Sequence, residues 1–469
     1  MHLLPAVAGL LCSAALAHAA LAADDPFGVD RLRPPAVNAA WAGSVPDPCP
    51  PVAVPPAVLS LVDAIDFALC RNPDTRVTWS NARVAAAQVG VVRSERLPTA
   101  DAAATLQRAE TRNVPSSGGR SELSGSAIVN YVLFDFGARD ARLDSARESL
   151  LAANWSHNAT LQTVLFGVVQ AYYQVFATGE AVSATLEAER AALESLEAST
   201  ARQQAGRATR VDVLQAQTAY SQALLNRTRA EGDAANARAG LANALGLRAD
   251  RAFALAAPPS LDDFALAEQA VERLIDTAKL GRPELLAAQA RVRAAESNLR
   301  AAQAADRPTI SLFGSTGATQ LNAGADPLSG AIGVRLKVPL FTGYRNTYQV
   351  RSAREQIETR QAERDRLDNL VSLEVWQSWQ QLETEGQSYR TTLDLVASAR
   401  EAYEAALARY RAGVGTLIDL LNAQSAAASA DFQRIQAQYN WYLAKAALVR
   451  ALGTLDPALF AQPSAAVDQ

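Results

Sequence analysis

The sequence predicts a mostly α-helical protein with a small β part, built by internal duplication. Three observations predict it. Stretches near residues 141–205 and 346–411 run almost without Gly and entirely without Pro. A set of landmarks recurs at offsets of 207 to 210 positions. Of the 469 residues 49% are hydrophobic but only 6% aromatic, because Ala dominates, and small side chains suit close helix packing better than a thick globular core.

Leu3 to Leu16 form an apolar stretch, and Ala17-His18-Ala19 and Ala20-Leu21-Ala22 offer small-x-small cleavage sites ahead of Asp24-Asp25. Residues 1–22 therefore read as a secretory signal peptide, with an uncleaved membrane anchor as the alternative. Cys12 follows Leu10-Leu11, without the small residue expected before a lipoprotein cysteine, so lipidation is not expected. Residues 23–57 hold nine of the 21 Pro and read as an extended arm. Cleavage leaves His157, Cys49 and Cys70, too few for a His-based triad or a Cys/His zinc site. No GxxxxGK[ST], HExxH or GxSxG motif occurs. No enzyme activity, metal or cofactor is expected, and the net charge of −4 argues against nucleic acid. Export places the two remaining thiols in an oxidising compartment, which predicts a Cys49–Cys70 disulfide, the alternative being two unpaired cysteines. His157 reads as an ordinary helix-surface residue, and Trp376 and Trp379 as packing residues.

From Ser60 onward Leu61, Ile65 and Leu69 recur at helical spacing up to Asn72-Pro73, and the pattern resumes until Leu97-Pro98. Arg282-Pro283 and Arg307-Pro308 repeat these landmarks 210 positions later. Leu133-Phe134 recurs as Leu340-Phe341, at an offset of 207. At that same offset Ala205-Gly206, Thr209, Asp212, Leu214 and Ala216-Gln217 recur as Ala412-Gly413, Thr416, Asp419, Leu421 and Ala423-Gln424. The repeats span 58–257 and 258–455, followed by a tail at 456–469. Each repeat has two segments of strand character, near 99–108 and 123–134 and near 309–319 and 329–340. In the last, Ile332, Val334, Leu336 and Val338 alternate with Arg335 and Lys337, so one face is apolar and the other basic. Each long helix, on the order of 90 to 100 Å at its full length, ends at an Ala-Gly turn, and a second helix returns over 212–246 or 419–453. In the second repeat the apolar seam follows alternating steps of four and three, interrupted at Gly386 and Arg400.

Beyond the leader no apolar run reaches the ~18 residues of a membrane-spanning helix. A membrane barrel admits no open edge and needs about eight strands, so four per chain cannot close alone. Two chains would make a barrel filled by side chains, and three, with twelve strands, would leave a lumen. The physics predicts an oligomeric tube and leaves its copy number open.

The duplicated half with its Pro-marked helix joint resembles the TolC family of outer-membrane efflux proteins. So do the strand ends Leu133-Phe134-Asp135-Phe136-Gly137 and Pro339-Leu340-Phe341-Thr342-Gly343, and the Ala-Gly-x-x-Thr-x-x-Asp-x-Leu hairpin tips. The resemblance covers about residues 58–455. It implies a homotrimer whose twelve-stranded barrel, with Arg335 and Lys337 facing the lumen, sits in outer-membrane lipid and continues as a periplasmic helical barrel. It also implies a periplasmic adaptor (membrane fusion) protein and an inner-membrane ABC transporter as partners, docking at tips that contain Gly206 and Gly413. The missing lipoprotein cysteine resembles the type I protein-secretion branch, whose cargo is an exported protein toxin. The alternatives are a small-molecule efflux channel of a tripartite pump and a structural coiled-coil surface protein.

Carried over position by position, the family's periplasmic gate places Asp419 in a lumen-facing acidic ring, with Asn422 where a second ring Asp is expected. Tyr410 matches a constriction tyrosine, Gly415 replaces an Arg that ties neighbouring hairpins, and Asp212 matches an Asp of that tie network. The alternative for Asp212 and Asp419 is an early-turn carboxylate favoured by the helix dipole. Three Asp419 carboxylates at about 8 Å and an effective dielectric near ~20 would repel by roughly 2 kcal/mol per pair and attract cations.

Overall fold

The computed structural model describes residues 25–29, 58–110, 119–251, 253–258, 270–321 and 328–455. The expected signal peptide, most of the Pro-rich arm, Cys49 and the C-terminal tail lie outside them. Each repeat begins with two helices, joined at a proline: α1 (Leu61–Arg71) and α2 (Pro73–Ser94) in the first, α5 (Val271–Gly281) and α6 (Pro283–Ala304) in the second. Two strands follow, β2 (Thr99–Glu110) and β3 (Gly119–Phe134) or β5 (Thr309–Leu321) and β6 (Leu328–Lys337). Then come a 67-residue helix, α3 (Ala138–Gln204) or α7 (Arg345–Arg411), and a 35-residue return helix, α4 (Arg210–Ala244) or α8 (Leu417–Ala451). Among the described residues no helix is long and apolar enough to cross a membrane.

The proline joints are local chemistry. A residue before Pro is pushed out of the α region, and Asn72 (φ −60°, ψ 129°) and Arg282 (φ −65°, ψ 121°) are both extended. A capping box opens α1, with the Ser60 side chain accepting the Asp63 N–H and the Asp63 carboxylate accepting the Ser60 N–H.

The chain divides into two compact units, each drawing segments from both repeats, because α2, α3, α6 and α7 contribute to both. The first unit holds an antiparallel sheet in the order β2-β3-β5-β6. Paired residues share a face, so the register sorts the side chains. One face carries Thr99, Asp101, Gln107, Ser124, Ser126, Asn130, Ser311, Arg335 and Lys337, and the Arg335 guanidinium lies 4.7 Å from the centre of the Phe313 ring. The other carries Ala102, Ala104, Leu106, Ala127, Val129, Leu312, Ile332, Val334 and Leu336. Its large side chains are bare: Leu106 is 77% exposed and Ile332 83%. The last strand stops at Lys337 rather than the expected 340, since Pro339 has no N–H for the ladder.

Where strand gives way to helix, Phe136 (φ 54°) and Gly137 (φ 87°), and Gly343 (φ 62°) and Tyr344 (φ 60°), take left-handed conformations. These turns bring exposed rings together, Phe134 with Phe136 at 4.7 Å and Phe341 with Tyr344 at 5.5 Å. Asp135 secures the first junction by accepting from the Arg139 N–H (3.0 Å) and Nε (2.9 Å). Residues 25–29 also belong to this unit. Val29 packs with Ala86, Val89, Leu143 and Leu150, and Arg93 donates to the Phe27 carbonyl at 3.3 Å.

The second unit contains the main core, in which Leu61, Ile65 and Phe67 of α1 meet Val168, Tyr172 and Tyr173 of α3, Leu241 of α4 and Tyr439 and Tyr442 of α8. A two-stranded parallel sheet, β1 (Val58–Leu59) with β4 (Ala254–Leu255), joins the ends of the first repeat. The Tyr172 hydroxyl lies 3.1 Å from the Leu59 carbonyl and 2.6 Å from that of Ala256. Burial pushes the Tyr172 phenol up to about 12, which keeps it protonated as a donor.

Both interruptions of the second repeat's seam have a partner. A Cβ at Gly386 would stand 3.2 Å from Trp441 Nε1, so the glycine makes room for the indole, and Arg400 pairs with Asp431 at 2.8 Å. His157 corrects the sequence reading. It is 8% exposed rather than on the helix surface, with Nδ1 2.9 Å from Thr78 Oγ1 and the Trp79 ring at 5.6 Å.

Candidate functional site at the hairpin tips

Both long helices stop in the same way. The Arg207 N–H reaches back to the Arg202 carbonyl at 2.8 Å and the Val414 N–H to that of Arg409 at 3.0 Å. Gly206 (φ +71°) and Gly413 (φ +81°) supply the left-handed residue this turn requires. Thr209 and Thr416 then cap the return helices, accepting the N–H of Asp212 and Asp419.

The two aspartates part company at this point. Asp212 Oδ2 accepts both the Thr209 N–H (2.7 Å) and its hydroxyl (2.8 Å), completing a capping box, so this carboxylate is engaged in its own cap. The Asp419 carboxylate makes no such return bond; it is exposed and without a partner among the described residues, as is the side chain of Asn422 one turn on.

Tyr410 is 6% exposed, packed with Ala216, Leu417 and Leu420. Its ring meets the Arg202 guanidinium at 4.1 Å, and Arg202 also donates to the carbonyls of Tyr410 (2.5 Å) and Arg411 (3.3 Å). This arginine joins the first hairpin tip to the second, and sequence reasoning missed it. Its repeat-mate Arg409 at the 207 offset was the available signal. Gly415 has a structural reason: a Cβ there would lie 3.0 Å from both Arg409 Cβ and the Tyr410 N, leaving no room for the expected Arg without a backbone shift.

The structure thus brings Tyr410, Gly413, Gly415, Asp419 and Asn422 onto one tip, next to the tip that holds Gly206 and Asp212. Arg335 and Lys337 belong instead to the polar face of the sheet. Cys70 is disulfide-bonded, and Cys49 lies outside the described residues. No group of metal-ligating residues occurs among the described residues.

Residues 64–247 and 274–454 match the family model described as outer membrane efflux protein. The chain is similar to Protein CyaE of Bordetella pertussis, 32% identical over 84% of this chain and 83% of CyaE. It is also similar to the outer membrane efflux protein BepC of Brucella suis, 26% identical over 84% of this chain and 86% of BepC. A crystal structure of a membrane protein from Pseudomonas aeruginosa superposes with a TM-score of 0.73 at 26% identity, covering 84% of this chain and 92% of the other. With both repeats matched almost end to end, the chain belongs to the outer membrane efflux protein family, the family of TolC.

Proposed function

We propose that this outer-membrane channel is the exit duct of a type I secretion system. Three copies close their sheets into one twelve-stranded barrel, with Arg335 and Lys337 facing the lumen. A protein toxin passes through it, delivered by an inner-membrane ABC transporter and a periplasmic adaptor that docks at the tips around Gly206 and Gly413. The carrying observation is the sheet, whose exposed apolar face suits lipid and whose outer strands β2 and β6 have edges left to pair. Four strands are too few for a barrel, eight leave no lumen and twelve do. The exposed aromatic rings at both strand ends suit the membrane–water boundary.

The secretion branch rests on the resemblance drawn from the sequence, and the lower identity to BepC, named an efflux protein, than to CyaE, 26% against 32%, is in keeping with it. Small-molecule efflux is the alternative. Deleting the gene decides between them: loss of one large protein from the medium with unchanged drug sensitivity supports secretion, and drug sensitisation with an unchanged set of secreted proteins supports efflux.

Within the proposed trimer, Asp419 faces the narrow periplasmic mouth, and its unengaged carboxylate supports that role, whereas one carboxylate oxygen of Asp212 is held by its own cap. Asp419→Asn should abolish cation preference and multivalent-cation block in planar bilayers. Unchanged selectivity and block would remove Asp419 from the lumen.

A further inference from the structure

The two outer strands of the sheet, β2 with 12 residues and β6 with 10, each leave one edge without a partner among the described residues. Both edges carry charge on the polar face, at the end where the sheet meets the helices: Asp101 near the start of β2, Arg335 and Lys337 at the end of β6. The three side chains are not equally free. The Arg335 guanidinium lies 4.7 Å from the centre of the Phe313 ring, and that ring rests on Gly333, where a Cβ would stand 3.0 Å from it. Asp101 and Lys337 are exposed, and neither charge has a partner among the described residues.

In a closed ring of copies, the proposal on which this inference rests, β6 of one copy runs antiparallel to β2 of the next. Two requirements restrict how they meet. The shorter strand pairs along its whole length, and polar side chains stay on the polar face, since a slip of one residue would carry Arg335 and Lys337 to the apolar side. Two registers meet both requirements: Lys337 opposite Thr99, which puts Arg335 opposite Asp101, or Lys337 opposite Asp101. Either way the carboxylate of one copy faces a cation of another. With Arg335 held by its own aromatic ring, the free pair decides. We infer that Asp101 of each copy pairs with Lys337 of a neighbouring copy and so sets the register of every seam in the barrel.

The width of the tube depends on this pairing. The stagger summed around a barrel is linked to strand tilt and diameter. The other register is displaced by two positions at each seam, so the ion pair selects one stagger, and one bore, from two.

Disulfide formation in the full chain, oxidised in detergent, tests the contact. Residues directly opposite in an antiparallel pair have Cα atoms about 4.5 to 5.5 Å apart, within a disulfide's reach, whereas diagonal neighbours stand about 7 to 8 Å apart. Asp101→Cys with Lys337→Cys should give covalent dimers and trimers on a denaturing gel without reductant, absent from either single variant. Asp101→Cys with Arg335→Cys should give none, and cross-links from that pair instead mean the other register and overturn the inference. Light scattering on the native chain separates the remaining failures. An oligomer in which neither pair cross-links overturns the seam contact and leaves the ring standing; a monomer overturns the ring and the inference with it. Charge reversal supplies a second arm. Asp101→Lys should shorten the half-life of the oligomer on mild heating in detergent on the order of tenfold, because like charges then face each other at every seam. Adding Lys337→Asp should restore it, and no recovery in the double variant overturns the pairing.

Discussion

At the scale of single residues, His157 couples stability to pH. Burial among Thr78, Trp79 and the helices pulls its pKa from 6.5 down to about 4. The unfolded chain takes up the proton first, so the contribution is present above the unfolded value and lost as pH falls from about 6.5 toward 4. The loss is on the order of 3 kcal/mol. Thermal unfolding at a series of pH values should show a steeper acid decline for the native chain than for His157→Gln, and identical slopes would contradict the assignment. Two glycines separate strain from collision. Gly206 (φ +71°) has nothing within 4 Å of an added Cβ, whereas Gly246 (φ +68°) would place it 2.9 Å from the Arg71 carbonyl oxygen. Gly206→Ala should cost about 1 kcal/mol, the left-handed penalty alone, and Gly246→Ala about 3 kcal/mol, read by denaturant titration.

At the scale of elements, the duplication appears as one joint solved twice. In the first repeat Asn72 Nδ2 donates to the Ala244 carbonyl (3.2 Å); in the second, Arg282 donates to that of Ala451 (3.2 Å) while pairing with Glu374 (2.6 Å) and Glu284 (3.1 Å). Burial pulls the Arg282 pKa down, and the hydrogen bonds and charge of Glu284 and Glu374 more than offset it. Arg282→Ala should cost about 3 kcal/mol by stripping a buried network of its cation. Arg282→Asn restores the first repeat's solution for the Ala451 carbonyl and should cost less; equal losses would mean that this carbonyl bond contributes nothing. The bond at Cys70 is proposed to run to Cys49, a loop of 21 positions, worth about 3 kcal/mol through restriction of the unfolded chain. Mass spectrometry of unreduced peptides should find 49 and 70 linked, and a free thiol at 49 would refute the pairing. The long helices, their Ala-Gly ends and the four strands were legible because period, Pro and Gly act locally. The pairing of β1 with β4 was not: two residues carry no periodicity, and Tyr172, which holds them, is over 80 positions from either. The inward turn of His157 was hidden for the same reason, since its partners lie on α2. At the tips, sequence identified Gly206, Gly413 and the paired aspartates, but which aspartate spends its carboxylate on its own cap depends on coordinates. So did the reach of Arg202 across to the end of α7.

At the scale of the whole molecule, the account stands on a sheet that is incomplete by itself. A four-stranded sheet with one polar face, one bare apolar face and two outer strands is stable in lipid only when its edges are paired. Single-particle imaging of the full chain in lipid nanodiscs tests the central claim most directly. The account predicts a three-fold particle whose twelve-stranded barrel sits in the disc, β2 of each copy hydrogen-bonded to β6 of the next. A monomer, a different symmetry, or a sheet lying outside the lipid would contradict it.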